Sequence, residues 1–329
     1  MPNIKNKIRN AFEEETPNIK NRVVSACETE TQLAPLPQPS RKLGVFKFVA
    51  LALSFGLTFG LGIMLGNFKL KDTSEVYSAL YIDVNPSIEL TLNSSNSVIN
   101  CNAINEDAKQ ILEELELEGV SINTAVYTVV GALYIHGYLT EENNSVLISV
   151  ESKHADGGNE ILQNAKSQID NAFKNSNIDC SVISQKLNVN ENLKERAKNH
   201  GVSVGKVAYV DEILKEITSS TEEDLFKLSI NELNLINTVN KEENNSSGKP
   251  NGFIDKSSVL NTILEKLKIT ENEVESYSVQ ALPAKREHFR VVYVITVKIK
   301  GDENIYKFEA DAVLGTVFDD VHPDYEHRR

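Results

Sequence analysis

The chain has 329 residues, with 34 Lys and Arg against 47 Asp and Glu, a formal net charge of −13 and a hydrophobic fraction of 40%. With a mean hydropathy of −0.28, these figures exclude a polytopic membrane protein, and the acidic balance excludes a nucleic-acid wrapper, whose phosphate contacts need a basic surface. The length suggests two domains plus extra segments, and 16 Gly and 9 Pro are too few for a fibrous chain or wholesale disorder.

In chain order, residues 1–42 come first as a short helical segment with a tether. Ile4, Ile8, Ala11 and Phe12 recur at helical spacing, Thr16-Pro17 punctuates as an N-cap and first turn, and Ile19, Val23, Val24 and Cys27 carry a second apolar face. Two helices of about three turns do not fold alone, so these faces call for a partner. Ile4, Ile8, Phe12, Ile19, Val23 and Val24 suit either a groove on another protein or a bed of anionic lipid, given Lys5, Lys7 and Arg9. Pro35, Pro37 and Pro39 mark an extended tether.

A membrane-spanning helix is expected over residues 43–67. Its centre, Phe48 to Gly66, holds nineteen residues without a charge, long enough to cross a bilayer. It is apolar on every side and carries Gly56, Gly60 and Gly62, which weaken a helix in water but are tolerated in lipid. Residues 1–47 hold eight Lys or Arg and five Asp or Glu, net +3, which leaves −16 for the remainder. Basic flanks stay inside. The expected location is therefore the cell membrane, single-pass, with a cytoplasmic N-terminus and an extracellular C-terminal part.

Residues 73–240 read as an α+β domain. Strands are expected over Glu75–Val84, Ser87–Leu92 and Val98–Ile104, then a helix capped by Asn105 to about Glu116 and one from Ser121 to about Gly137. A strand at Val146–Val150, a helix at Gly158–Lys174, a strand at Cys180–Ile183 and shorter helices over 190–240 complete it. Lys241–Gly252 lacks any apolar residue and reads as a linker. Residues 253–320 form a second unit: a helix over Lys256–Lys268 and strands at Val274–Leu282, His288–Lys300, Ile305–Asp311 and Thr316–Phe318, the second of these strands dominated by β-branched and aromatic residues. Residues 321–329 are a polar tail.

One step carries chemistry. Asn85-Pro86 interrupts a strand pattern, and such a step is an ordinary turn or bulge signal. It is also a bond that can cut itself: the Asn side-chain amide attacks its own carbonyl, closes a succinimide and expels the next nitrogen. Pro86 has no N–H, so the competing deamidation route is closed. The leaving nitrogen needs a proton, and Asp83, Ser87 and Glu89 are the nearby candidates, with no means of choosing among them. Cys101 and Cys180 are either simply buried or joined. No CxxC, HExxH or paired Cys/His spacing occurs, so no metal or cofactor is expected, and neither a nucleophile-base-acid set nor a phosphate-binding Gly loop points to a conventional enzyme. Any catalysis would be single-turnover autoproteolysis.

The segments YIDVNPSIEL, INEDAKQIL, GYLTEENNSVLISV, VSVGKVAYV and LSINELNLI resemble the extracellular region of RsgI-type membrane-anchored anti-sigma factors over roughly residues 76–240. The resemblance implies autocatalytic cutting at Asn85-Pro86, pieces that stay joined by strand pairing, and intramembrane proteolysis once the outer piece is lost. It also implies a sigma factor as partner of the cytoplasmic segment and an intramembrane protease, beside the lipid bilayer. The ending IYKFEADAVLGTVFDD resembles a PepSY domain, which implies peptidase inhibition or ligand sensing, with the extracellular ligand unknown. The short helical N-terminus departs from the β-rich sigma-binding domain usual in RsgI-type proteins. The alternative is a membrane-tethered binding or peptidase-inhibitor module with no sigma-factor partner.

Overall fold

The computed structural model describes residues 75–318 except 154, 175–177, 242–248 and 289. The N-terminal helices with their six anchor residues, the Pro-rich tether, the membrane helix over 43–67 and the tail all lie outside the described residues. Among the described residues, no helix is long and apolar enough to cross a membrane.

The architecture is α+β, as the sequence implies, and it begins with a hairpin. Strands β1 (Ser78–Asp83) and β2 (Ser87–Leu92) pair antiparallel, and β3 (Val98–Ala103) pairs antiparallel to β2. Strand alternation sends Leu80 and Ile82 to one face and Ala79 and Tyr81 to the other. Helix α1 (Glu106–Leu112) is capped by Asn105, whose side-chain oxygen accepts from Ala108 N–H. It stops short of the expected Glu116 because Glu113, Glu114 and Glu116 would crowd the negative end of the helix dipole. Helix α2 (Ile122–Ile135) starts on Ser121 and ends where Gly137 takes φ +76°.

Strand β4 (Ser145–Ser152) lies antiparallel to β1, and after helix α3 (Ala155–Phe173) strand β5 (Ser181–Lys186) lies parallel to β4. The five-stranded order is β3-β2-β1-β4-β5. The strand preceding Asn85 is thus the central one, paired over six residues on each side. Cys101 on β3 and Cys180 beside β5 belong to opposite edges, and both are free thiols.

Four helices fill residues 190–241: α4 (Glu191–His200), α5 (Val204–Leu214), α6 (Glu222–Phe226) and α7 (Ile230–Lys241). Helix α8 (Lys256–Leu267) then precedes a second sheet of β6 (Val274–Pro283), β7 (Val291–Ile299) and β8 (Ile305–Asp311) in antiparallel order. The fourth strand expected at Thr316–Phe318 is only a bridge between Ala310 and Val317. Asp311 accepts from Val313 and Leu314 N–H and so makes the chain turn, leaving too few residues for a ladder.

Two apolar cores result. Leu80, Ile82, Ile88 and Leu90 face α2 and α3, meeting Val126, Val129, Ile161 and Ile169. Ala79, Tyr81 and Leu147 on the opposite face join Val207 and Val210 of α5 and Leu233 and Ile236 of α7. That core continues through Ile263 of α8 into Tyr293, Ile295 and Phe308 of the second sheet. The two sheets therefore share one core across α5 and α7. Polar groups fasten the same junction: Asn144 Oδ1 accepts from Asn251 N–H at 2.9 Å, and Asn231 Nδ2 donates to the carbonyls of Glu142 and Asn251. Gly252, at φ +81°, lies so close that a Cβ there would sit 2.6 Å from the Glu142 carbonyl oxygen.

Candidate functional site

The β1–β2 hairpin turns through Val84, Asn85 and Pro86, closed by Val84 N–H donating to the Pro86 carbonyl at 2.9 Å. Pro86 has no N–H to return the bond, so Asn85 alone makes the tip. Its φ is +134°, outside even the left-handed well that Asn tolerates and in territory otherwise left to glycine. A backbone of this kind costs on the order of 1–3 kcal/mol and persists only where its surroundings impose it.

The surroundings are specific. From one side Ile230 N–H, at the start of α7, donates to the Val84 carbonyl at 3.2 Å. From the other, Asn105 Nδ2 donates to Asn85 Oδ1 at 3.3 Å, while Asn105 Oδ1 accepts from Ser87 N–H and Ala108 N–H. The residue that caps α1 also holds the Asn85 side chain.

Asp83 and Ser87 are opposite one another where the hairpin begins, and both are buried. Asp83 is 0% exposed; its Oδ2 accepts from Ser203 Oγ at 2.7 Å and its Oδ1 has no partner. Burial pushes the carboxyl up to about 6, against the opposing pull of the Ser87 and Ser203 hydroxyls and the Lys206 charge. Lys206 is itself buried and donates to the carbonyls of Phe226 and Leu228. Burial lowers its ammonium to about 8, with Asp83 and Glu232 acting the other way. Ser203 caps α5, and Gly205 in its first turn lets that helix settle on the sheet. A Cβ at Gly205 would lie 2.4 Å from Ser149 Oγ and 3.1 Å from Asp83 Oδ2.

Of the five residues named from sequence, Asn85, Pro86, Asp83 and Ser87 gather at the hairpin. Glu89 does not: it pairs with Tyr81 farther along the sheet, accepting from Tyr81 Oη and from Asn102 Nδ2. Burial, and after it the Glu89 carboxylate, raises the Tyr81 phenol. The second role of Asn105, and the presence of Ser203, Gly205 and Lys206, go beyond the residues named from sequence. The signal for the last three was the run VSVGKVAYV, a Ser cap followed by Gly and Lys on an otherwise apolar helix face. Among the described residues, no group of three His, Cys, Asp or Glu side chains is placed to hold a metal ion.

The hairpin and the supports from Asn105, Ser203 and Lys206 lie within one segment of recognisable type: residues 77–212 match the family model of the anti-sigma factor RsgI-like central domain. Relatives carrying the same similarity include the anti-sigma-I factor RsgI9 of Acetivibrio thermocellus, 28% identical over 192 residues, covering 54% of this chain and 26% of that protein. RsgI6 of the same organism is 32% identical over 171 residues, covering 49% of this chain and 22% of that protein. RsgI of Bacillus subtilis is 24% identical over 165 residues, covering 50% of this chain and 40% of that protein. The chain thus spans less than half the length of each of these relatives.

Proposed function

We propose that this chain is a single-pass membrane anti-sigma factor whose outer part cuts itself between Asn85 and Pro86. The observation that carries the reading is the Asn85 backbone, held at φ +134° in a one-residue tip directly before proline. In the proposed reaction Asn85 Nδ2 attacks its own carbonyl carbon, the C–N bond to Pro86 breaks, and the proton lost by Nδ2 is balanced by one gained at the Pro86 nitrogen. Asp83, whose carboxyl is raised by burial to about 6, is the supporting group best suited to relay it. Strain released by opening the tip lowers the barrier, and a constrained side chain gains the rate advantage of an intramolecular attack.

After the cut, residues 1–85 retain β1 in the middle of a sheet whose other strands belong to residues 86–329, so the pieces remain joined without a covalent bond. Removal of the outer piece would bare a membrane-anchored stub to an intramembrane protease and free a sigma factor held by Ile4, Ile8, Phe12, Ile19, Val23 and Val24. The apolar run at 48–66 and its basic N-terminal flank support the membrane placement, and the names of the relatives support the sigma partner. The C-terminal sheet and α8 act as a PepSY-like sensing module.

Two measurements test this. Gel analysis of the detergent-solubilised full chain should show two pieces, and Asn85→Ala one; a single full-length band for the unmutated chain refutes the cleavage. Capture of the full chain from membranes of its own cells should bring down a sigma factor, and Phe12→Asp should not. Recovery with no sigma factor would favour the tethered binding or inhibitor module.

A further inference from the structure

We infer that Asn105 is a positioning residue for the attack by Asn85, beyond its part as a helix cap; the inference rests on the reading of Asn85-Pro86 as a self-cutting bond. Asn105 Oδ1 receives two backbone donors, Ala108 N–H at 3.1 Å and Ser87 N–H at 3.3 Å. Oxygen must therefore occupy that end of the amide, and the other end, facing Asn85 at 3.3 Å, is Nδ2, a pure donor. A donor there requires Asn85 to present its oxygen. Asn85, which is exposed, thereby has its Nδ2 turned away from Asn105. The amide that must attack is thus set in one of its two possible orientations.

The same contact assists the chemistry. As Nδ2 gives up its proton, negative charge gathers on Asn85 Oδ1, where the Asn105 N–H already points, so the developing charge meets a preset donor. Asn105 also ties both ends of the tip together: it binds Ser87 N–H on the leaving side and the Asn85 side chain on the attacking side. It comes from α1, twenty residues downstream, so the orientation depends on α1 being folded. The cut therefore waits for the domain to assemble.

The experiment separates this role from capping. Asn105→Asp and Asn105→Ser keep an oxygen for Ala108 N–H, since Asp and Ser cap as well as Asn, but neither supplies the N–H toward Asn85. Asn105→Ala removes both. Cleavage of the full chain in detergent is followed by gel after synthesis, beside thermal melting of each variant. The expected result is cleavage slowed at least tenfold in Asn105→Asp and Asn105→Ser with melting close to the unmutated protein. In Asn105→Asp, protonation of the introduced carboxyl restores a donor, so its rate relative to Asn105→Ser should rise as pH falls into the carboxylate range. Rates within twofold of the unmutated chain in both cap-retaining variants would overturn the inference while leaving the self-cutting bond intact. Slowing only in Asn105→Ala, in step with lost melting temperature, would overturn it in favour of a cap. An unmutated chain that stays whole would overturn the underlying reading as well.

Discussion

Ile82 lies near the end of the central strand β1, is 0% exposed, and packs in the core shared with α2 and α3. Replacing it with Ala removes three carbons from a site where the neighbouring strands β2 and β4 hold the backbone on both sides, so collapse to fill the void is restricted. Large-to-small changes of this kind cost about 2–5 kcal/mol; a central figure of about 3 kcal/mol corresponds to roughly a 100-fold change in an equilibrium constant. Under the proposed cut the same loss would fall on the contact between residues 1–85 and the rest, because β1 is the strand that the first piece would contribute. With a urea dependence near the upper end of the usual range, about 3 kcal/mol per molar, the pieces of Ile82→Ala should separate at about 1 M less urea than those of the unmutated protein. Size-exclusion chromatography across a urea series reads this directly, with Tyr277→Ala on the exposed face of β6 as a control expected to match the unmutated protein. Equal midpoints for Ile82→Ala and the unmutated protein would refute the assignment of β1 as the strand that holds the two pieces together.

Gly205→Ala should destabilise by about 1–3 kcal/mol through overpacking against Ser149 and Asp83, reversing the gain of up to about 1 kcal/mol that this change ordinarily brings within a helix; chemical denaturation gives the sign. The Asp83 carboxyl is raised in the fold from 3.8 to about 6, so the stability tied to its neutral form is complete below about 4 and is lost as pH rises through 6. Asp83→Asn should abolish that dependence, improving relative to the unmutated protein by roughly 2 kcal/mol between pH 4 and pH 7, as urea titrations at the two pH values would show. Arg290 donates to both Glu232 oxygens and to the Lys227 carbonyl. Although burial works to raise the Glu232 carboxyl, these contacts and the Ser229 bonds hold it below its ordinary value. Arg290 is half exposed, so Arg290→Ala should cost only about 1 kcal/mol, measurable as a small fall in melting temperature.

Much of the hairpin is legible from the residues alone. The bounds of β2 coincide with the expected Ser87–Leu92 because alternation runs cleanly from the proline to the Asn93 turn, and Asn105 and Ser121 announce their helices as caps. The central place of β1 is not legible: its pairing with β4 joins residues about seventy positions apart, and nothing in either strand names its partner. Sharing of one core by both sheets is hidden for a related reason. The polar run at 241–252 looks like a boundary, but Asn144 and Asn231, ordinary surface types in a sequence this rich in Asn, turn out to grip residues 249–251. Asn105 was visible as a cap but not as the neighbour of Asn85, because the hydrogen bond between them depends on the tip conformation. Glu89 looked as close to the bond as Ser87 does; strand geometry carries it along the sheet toward Tyr81 instead.

The central claim, a broken chain held together by its own middle strand, can be tested in one sample by mass spectrometry under native and denaturing conditions. The account predicts a single assembly of about the full 36.6 kDa in the native spectrum. On denaturation it predicts two chains, one ending at Asn85 and the other beginning at Pro86. One intact chain of 329 residues under denaturing conditions would contradict it.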